Sequence, residues 1–125
     1  MPSPKSKPLT KLIEQMLDEA SWLLSHTQAL GDYGRDEDAA VERAKAAGCE
    51  EQVACLLEAN GQELEAAVHR VSAASCYQQL GQHTRAITLH RAALSGPLYE
   101  DYRKRVEEQL KATLAKAQKE LMASA

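Results

Sequence analysis

Residues 62–97 read QELEAAVHRVSAASCYQQLGQHTRAITLHRAALSGP, and this stretch is the most informative part of the chain about the fold. Gly81 separates two helical patterns, and Gly96-Pro97 closes the second. The first pattern has two apolar stripes at helical spacing, one made of Leu64, Ala67, Val68, Val71 and Ala74 and the other of Ala66, Ala73, Tyr77 and Leu80. A helix that is apolar on two sides is usually sandwiched between neighbours, so residues 62–80 are predicted to form the central element.

Outward from this stretch, the chain continues as helical patterns bounded by glycine. The spacings predict helices over Leu9–Leu30, from Asp36 to Ala47, and over Glu50–Ala59, Gln62–Leu80, Thr84–Leu94 and Leu98–Met122. Asp36 is the predicted N-cap of the second helix, and Gly31 and Gly48 are predicted to end the first and second. The last helix is amphipathic, with at least six apolar side chains on one face, so we expect it to be integral to the fold.

Composition supports an all-helical class. The chain has 125 residues, of which 44% are hydrophobic, and it contains no Phe. Its core must therefore consist of Leu, Ala and Val, and Ala and Leu are strong helix formers. The prediction is an all-α fold of about six antiparallel helices, arranged as a helical-hairpin array or bundle. Residues 1–8 are predicted to be a flexible arm, with Pro8 in the first turn of the first helix, and residues 9–125 a single domain.

Charge and hydropathy narrow the class of partner. The net charge is −3 and both signs are spread along the chain, which argues against nucleic acid as the main partner. No apolar run approaches the roughly 20 residues that span a bilayer, and no secretory signal is evident, so we expect no membrane partner. Three cysteines without a CxxC pair favour reduced thiols and a cytoplasmic location.

The segment from Ala74 to Pro97 resembles a tetratricopeptide repeat. That family places a small residue and then an aromatic one in its first helix, glycine at the turn, and alanines and a closing proline in its second helix. Matching residues here are Ala74, Tyr77, Gly81, Ala86, Ala93 and Leu94. Arg70 stands where the family prefers a large apolar residue, His90 where it prefers an aromatic, and Pro97 is one residue early. The resemblance covers about residues 64–97.

Residues 62–122 also resemble, more weakly, the three-helix microtubule-interacting-and-transport domain. That family binds short helical motifs in a groove between helices. Both resemblances imply a protein or peptide partner, and neither implies chemistry. The chain is therefore predicted to be a helical-hairpin interaction module that binds a protein or peptide or associates with itself.

A second class of function remains open at this stage. His69, Cys76, His83 and His90 are spaced by seven residues, and hairpin packing could bring His69, Cys76 and His90 together. The alternative is therefore a small helical bundle that binds a metal or a small ligand through these three residues. No nucleophile motif, phosphate-binding loop or dinucleotide fingerprint is present, so the sequence predicts neither an enzyme nor a cofactor. His90, inside an apolar face, is predicted to be buried and not catalytic.

Trp22 is the strongest candidate for contact with a partner. It lies on the polar side of the first helix, and tryptophan is over-represented among interface hot spots. The predicted core stripe, on the opposite side, consists of Leu9, Leu12, Ile13, Met16, Leu17, Ala20 and Leu24. An isolated exposed ring and a ring covered by the N-terminal arm are the alternatives. The other predicted partner-binding residues are on the central helix, at Val68, Val71, Ser75 and Gln78.

Overall fold

The computed structural model describes residues 7–124, which form five α-helices and no strand. The helices are α1 (Lys7–Asp32), α2 (Asp36–Ala59), α3 (Glu63–Gln79), α4 (His83–Leu94) and α5 (Glu100–Ala123). The all-α prediction is confirmed. Pro8 lies in the first turn of α1, as expected, while residues 1–6 of the predicted arm lie outside the described residues. No helix in this range combines the length and apolarity that crossing a membrane requires.

The expected number of about six helices was wrong, because Gly48 does not end a helix. It lies in the middle of α2, and Gly31 likewise lies inside α1. A glycine inside a helix costs about 1 kcal/mol relative to alanine. Packing on both sides of Gly48 outweighs that cost, since both halves of α2 bury side chains. These are Ala39, Ala46, Ala47, Cys49, Glu50, Val53, Ala54 and Leu57.

The three turns between α1 and α4 share one backbone geometry. Gly34, Gly61 and Gly81 have φ angles of 74°, 79° and 77°. In each turn the glycine N–H donates to the carbonyl three residues earlier, and the next N–H donates to the carbonyl five residues earlier. This is the Schellman arrangement, which needs a left-handed residue and so favours glycine. Gly81 separates α3 from α4, as the sequence predicted, whereas α1 is closed by Gly34 and not by Gly31.

The N-terminus of α2 differs from the prediction by one residue. Asp36 is the first helical residue and Arg35 is the N-cap, without a side-chain capping hydrogen bond. The reason is the Schellman turn, in which the residue directly after the glycine is the N-cap of the next helix. Arg35 instead pairs with Asp38. Asp36, Glu37 and Asp38 nevertheless lie in the first turn, where carboxylates complement the helix dipole.

Each helix packs chiefly against its neighbours in the chain, so α3 lies between α2 and α4. The side chains of α3 enter two core clusters, which confirms that this helix is apolar on two sides and central. The larger cluster consists of Ile13, Ala20, Leu23, Ala46, Ala47, Cys49, Val53, Leu57, Ala66, Cys76, Tyr77 and Ala86. The smaller consists of Ala67, Val71, Ala93 and Val106, with Leu94, Leu98 and Tyr102 packed against it.

The last helix buries less than the sequence predicted. Val106 and Thr113 are the buried residues of α5. Of the apolar stripe, Tyr102, Leu110 and Ala117 are half-buried, whereas Tyr99, Leu114 and Leu121 are exposed. The expectation of at least six buried apolar side chains is therefore wrong. The reason is topological, because α5 has one substantial neighbour, α4, and its other side has no helix against it within residues 7–124.

Histidine–glutamate pairs connect three of the four helix interfaces. His26 Nδ1 donates to Glu42 Oε2 between α1 and α2, at 3.3 Å. The two further pairs join His69 to Glu50 between α2 and α3, at 2.5 Å, and His83 to Glu120 between α4 and α5, at 3.0 Å. The last pair, with the start of α4 against the end of α5, shows that these two helices are antiparallel.

Candidate functional site

An open groove follows the seam between α1 and α2. Its wider part has a volume of about 480 Å³ and is lined by Leu12, Met16, Glu51, Gln52, Cys55 and Leu56. It adjoins a second depression of about 290 Å³, lined by Glu19, Leu23, Ala44, Lys45, Gly48, Cys49 and Gln52. Gln52 lines both, so we treat them as one feature and name it the α1–α2 groove.

Helical periodicity explains why these side chains line one groove. On α1, Leu12, Met16, Glu19 and Leu23 recur at intervals of four, three and four residues, so they share one side of the helix. On α2, Ala44, Gly48 and Cys55 follow the same kind of spacing with small side chains. Cys49 fixes the two helices beneath the groove by donating its Sγ–H to the carbonyl oxygen of Met16, at 3.4 Å. These small residues of α2 leave a channel beside the larger side chains of α1, and the remaining lining residues of α2 are Lys45, Glu51, Gln52 and Leu56.

Gly48 is the most unusual residue of the groove. It is helical and half-buried, and a Cβ at this position would meet no atom within 4 Å. Neither a positive φ nor a close contact therefore requires glycine here. Alanine would stabilise the helix by about 1 kcal/mol. Nothing within the described chain explains the glycine, whereas a second backbone that lies close to α2 would need it.

The wider part of the groove is apolar and accessible. Leu12 is 43% exposed, although the sequence placed it in the core stripe of α1. Cys55 is also exposed. Val41 lies one turn of α2 before Ala44 and two turns before Gly48, and it is 56% exposed. Exposed apolar side chains along a channel of this kind are typical of surfaces that bind another protein.

Carboxylates dominate the rim of the groove. Glu19 and Glu51 lie among its lining residues, and Lys45 is the basic one. Lys45 is engaged, since its Nζ donates to Glu42 Oε1 at 3.1 Å. The pKa of Glu42 lies below its ordinary value because Lys45, and then His26, donate hydrogen bonds to it. The pKa of Cys49 is raised by burial and then by the charges of Glu19 and Glu50. The rim therefore favours a basic partner.

The residues predicted to bind a partner lie on separate surfaces. Trp22 is 60% exposed, and its ring stacks on His26 with centroids 4.7 Å apart. On α3, Val68 is 38% exposed and Ser75 and Gln78 are half-buried. Val71 is 4% exposed and belongs to the smaller core cluster, which removes it from the accessible surface.

The three residues of the metal-binding alternative are not brought together. Within residues 7–124 no group of three or more His, Cys, Asp or Glu side chains is placed to hold a metal ion. His69 pairs with Glu50 of α2. Burial, and then the charge of Glu50, raise the pKa of Cys76 to about 11, so its thiol is protonated at neutral pH. His90 is fully buried with both ring nitrogens unpartnered, as expected for a residue inside the core.

Sequence reasoning missed the groove. It assigned Leu12 and Met16 to the core and took Gly48 as the end of a helix. One signal was available, since helical spacing continues across Gly48 from Val41 to Cys55. A glycine inside a continuous helical pattern either has a packing reason or marks a close approach.

No family model, curated protein or solved structure matches this chain.

Proposed function

We propose that this chain is a protein-interaction module of the helical-hairpin type, and that its α1–α2 groove receives a helical segment of a partner. The observation that carries the proposal is Gly48. A helical glycine with empty space beyond its Cα lines the smaller part of the open groove, next to its apolar part, and there it costs stability without benefit to the isolated fold. Helix-in-groove binding uses such channels, because the apolar face of an amphipathic helix fills them.

The same proposal includes a tetratricopeptide-like arrangement. It is supported by three Schellman turns of one geometry, at Gly34, Gly61 and Gly81, and by the packing of each helix on its chain neighbours. Helical-repeat arrays of this kind act mainly as binding scaffolds. A cytoplasmic location is part of the proposal too and rests on the three free thiols.

A selection from a library of helical display peptides tests the proposed function. Wild-type protein is the bait, and the matched pair Gly48→Leu and Gly31→Leu are the comparison variants. Both glycines are helical and both open onto empty space, but only Gly48 lines the groove. We expect selected peptides to bind wild type and Gly31→Leu alike, and Gly48→Leu at least about tenfold more weakly.

The binding site is then located by NMR. We expect the largest shift changes at the methyl groups of Leu12 and Met16. Peptides that bind all three proteins equally, or that shift Trp22 or Val68 instead, would place the interaction elsewhere. A selection that yields no peptide above background would refute the proposed function itself.

A further inference from the structure

We infer that the groove binds a second copy of this chain, and that its occupant is the C-terminal part of α5, residues 111–123. This inference rests on the proposed function and names its partner. Three observations carry it: the uneven charge along the helical array, the exposed apolar residues on α5, and the matching lengths of the two surfaces.

The first observation is charge. Residues 7–59, which form α1 and α2, contain five Lys or Arg and eleven Asp or Glu. Residues 60–125 contain nine Lys or Arg and seven Asp or Glu. The two halves of the array therefore carry opposite net charge, and the acidic half holds the groove. Complementary fields of this kind bring the unlike halves of two copies together and keep like halves apart.

The second observation is the surface of α5 between residues 111 and 123. Lys111, Lys116 and Lys119 make this segment basic. Its single carboxylate, Glu120, is already engaged by His83, which donates to it at 3.0 Å. The same segment exposes the apolar side chains of Leu114, Leu121 and Met122, of which the last two are 72% exposed. It thus combines lysines with uncovered apolar residues, as an amphipathic helix that binds an acidic apolar groove should.

The third observation is length. From Leu12 to Leu23 the α1 side of the groove covers about 16 Å, at about 1.5 Å per residue. Residues 111–123 of α5 cover about 18 Å on the same basis. At the position of Gly48 no side chain projects from α2, so an incoming helix can lie close to its backbone.

A groove-to-groove dimer is the main alternative for self-association. It would bring together two α1–α2 hairpins, each with six more acidic than basic residues. Like charges in direct opposition disfavour that arrangement. Contact between the groove of one copy and α5 of another is heterologous, so a pair of copies keeps one free groove and one free α5, and assemblies grow with concentration unless a ring closes.

A complementation experiment tests the inference, using the full chain. Gly48→Leu fills the groove and leaves α5 intact, whereas Leu121→Glu disables α5 and leaves the groove intact. Gly31→Leu and Ala112→Glu are the matched controls, since Ala112 is exposed on the side of α5 opposite to Leu121. Circular dichroism checks that every variant is folded, and Leu12→Glu and Met122→Glu serve as second variants of the groove and of α5. Sedimentation equilibrium then measures the association constant of each protein.

We expect wild type and both controls to associate with increasing concentration, and each test variant alone to associate at least about tenfold more weakly. An equimolar mixture of Gly48→Leu and Leu121→Glu should form a heterodimer that grows no further, because only one groove and one α5 remain functional. A groove-to-groove dimer predicts instead that Leu121→Glu alone associates like wild type and that mixing restores nothing. That result, or a wild type that is monomeric at about 0.5 mM, overturns the inference.

The alkylation rate of Cys55 gives a second readout. Cys55 is exposed and lines the groove, whereas Cys49 and Cys76 are buried. We expect Cys55 to react more slowly as wild-type concentration rises, and faster again when the salt concentration rises from about 50 to 500 mM. A rate independent of concentration would contradict self-association through the groove. If peptides are selected but the protein stays monomeric, the proposed function stands and only the identity of the partner fails.

Discussion

Helices α3 and α5 both carry apolar stripes in sequence, yet the structure uses them differently. In α3, seven of 17 residues are buried, whereas in α5 only Val106 and Thr113 of 24 residues are. The difference follows from their positions, because α3 has a helix on each side and α5 is packed along one side. An apolar stripe thus marks the surface that a helix can bury, while the number of neighbours sets how much of it is buried.

The side chains at the two positions differ in size as well. The buried faces of α3 are rich in alanine, with Ala66, Ala73 and Ala74 fully buried. Small side chains allow helices to approach closely, so α3 can contact α2 and α4 at once. The stripe on α5 carries leucines instead, and part of it stays in solvent. Four predictions test this comparison.

Hydrogen exchange should show the largest difference between the two helices. Amides in the middle of α3 should exchange only through global unfolding, and those of residues 111–123 through local fraying of α5. For a domain of ordinary stability we expect protection factors on α3 to be higher by about 10³ or more. The measurement is native-state exchange followed by NMR. Equal protection along both helices in dilute monomer would show that α5 is as firmly held as α3.

A matched pair of alanine-to-leucine substitutions should show the next largest difference between the two helices, in the free energy of unfolding. Ala74→Leu on α3 adds three carbons to a fully buried position and should cost about 1–3 kcal/mol. Ala112→Leu on α5 adds the same atoms to an exposed position and should change stability by less than about 0.5 kcal/mol. Urea denaturation measures both free energies of unfolding. Similar losses would mean that α5 is packed on its outer side too.

His90 tests whether the core around α4 stays dry in solution. Both ring nitrogens are buried without a partner, so His90→Phe should be neutral or stabilise the fold by up to about 2 kcal/mol. Burial lowers the pKa of His90, and the unfolded chain therefore binds more protons than the native state below the ordinary value of 6.5. Stability contributed by this residue should fall as the pH drops through that value.

Melting temperatures of wild type and His90→Phe across pH 5–8 isolate this effect, because the other histidines are common to both proteins. The difference between the two curves should widen on the acid side. Parallel curves would mean that water reaches the ring, and a loss above about 3 kcal/mol in the variant would indicate a buried hydrogen-bond network around it.

Two glycine-to-alanine substitutions should have small effects of opposite sign. Gly81→Ala introduces a Cβ at a φ of 77° and should destabilise the fold by about 1 kcal/mol. Gly48→Ala adds a methyl group to open space in a helix and should stabilise it by about 0.5–1 kcal/mol. Thermal unfolding measures both. A destabilising Gly48→Ala would show that the helix needs glycine there for its own packing, which removes the main support for the groove.

The residues that local reasoning placed correctly are those whose role depends on near neighbours in sequence. Gly61 and Gly81 were identified as helix ends because they follow a complete apolar pattern, and the two-sided stripe identified α3 as central. Gly31 and Gly48 were misassigned by the same rule. Glycine weakens a helix but does not end it, and neither of these glycines has the left-handed φ of a Schellman turn.

By itself, the sequence determined the all-helical class, the turns at Gly61 and Gly81 and the central place of α3. These features follow from local backbone preferences and from a periodicity that can be read within one helix. Only the tertiary structure determined the continuity of α2 through Gly48, the α1–α2 groove and the exposure of Leu121. Each of these depends on which helices are neighbours in space. Packing energy that no single segment contains offsets the local cost of glycine at position 48. The outer side of α5 stays uncovered because this helix packs chiefly against α4.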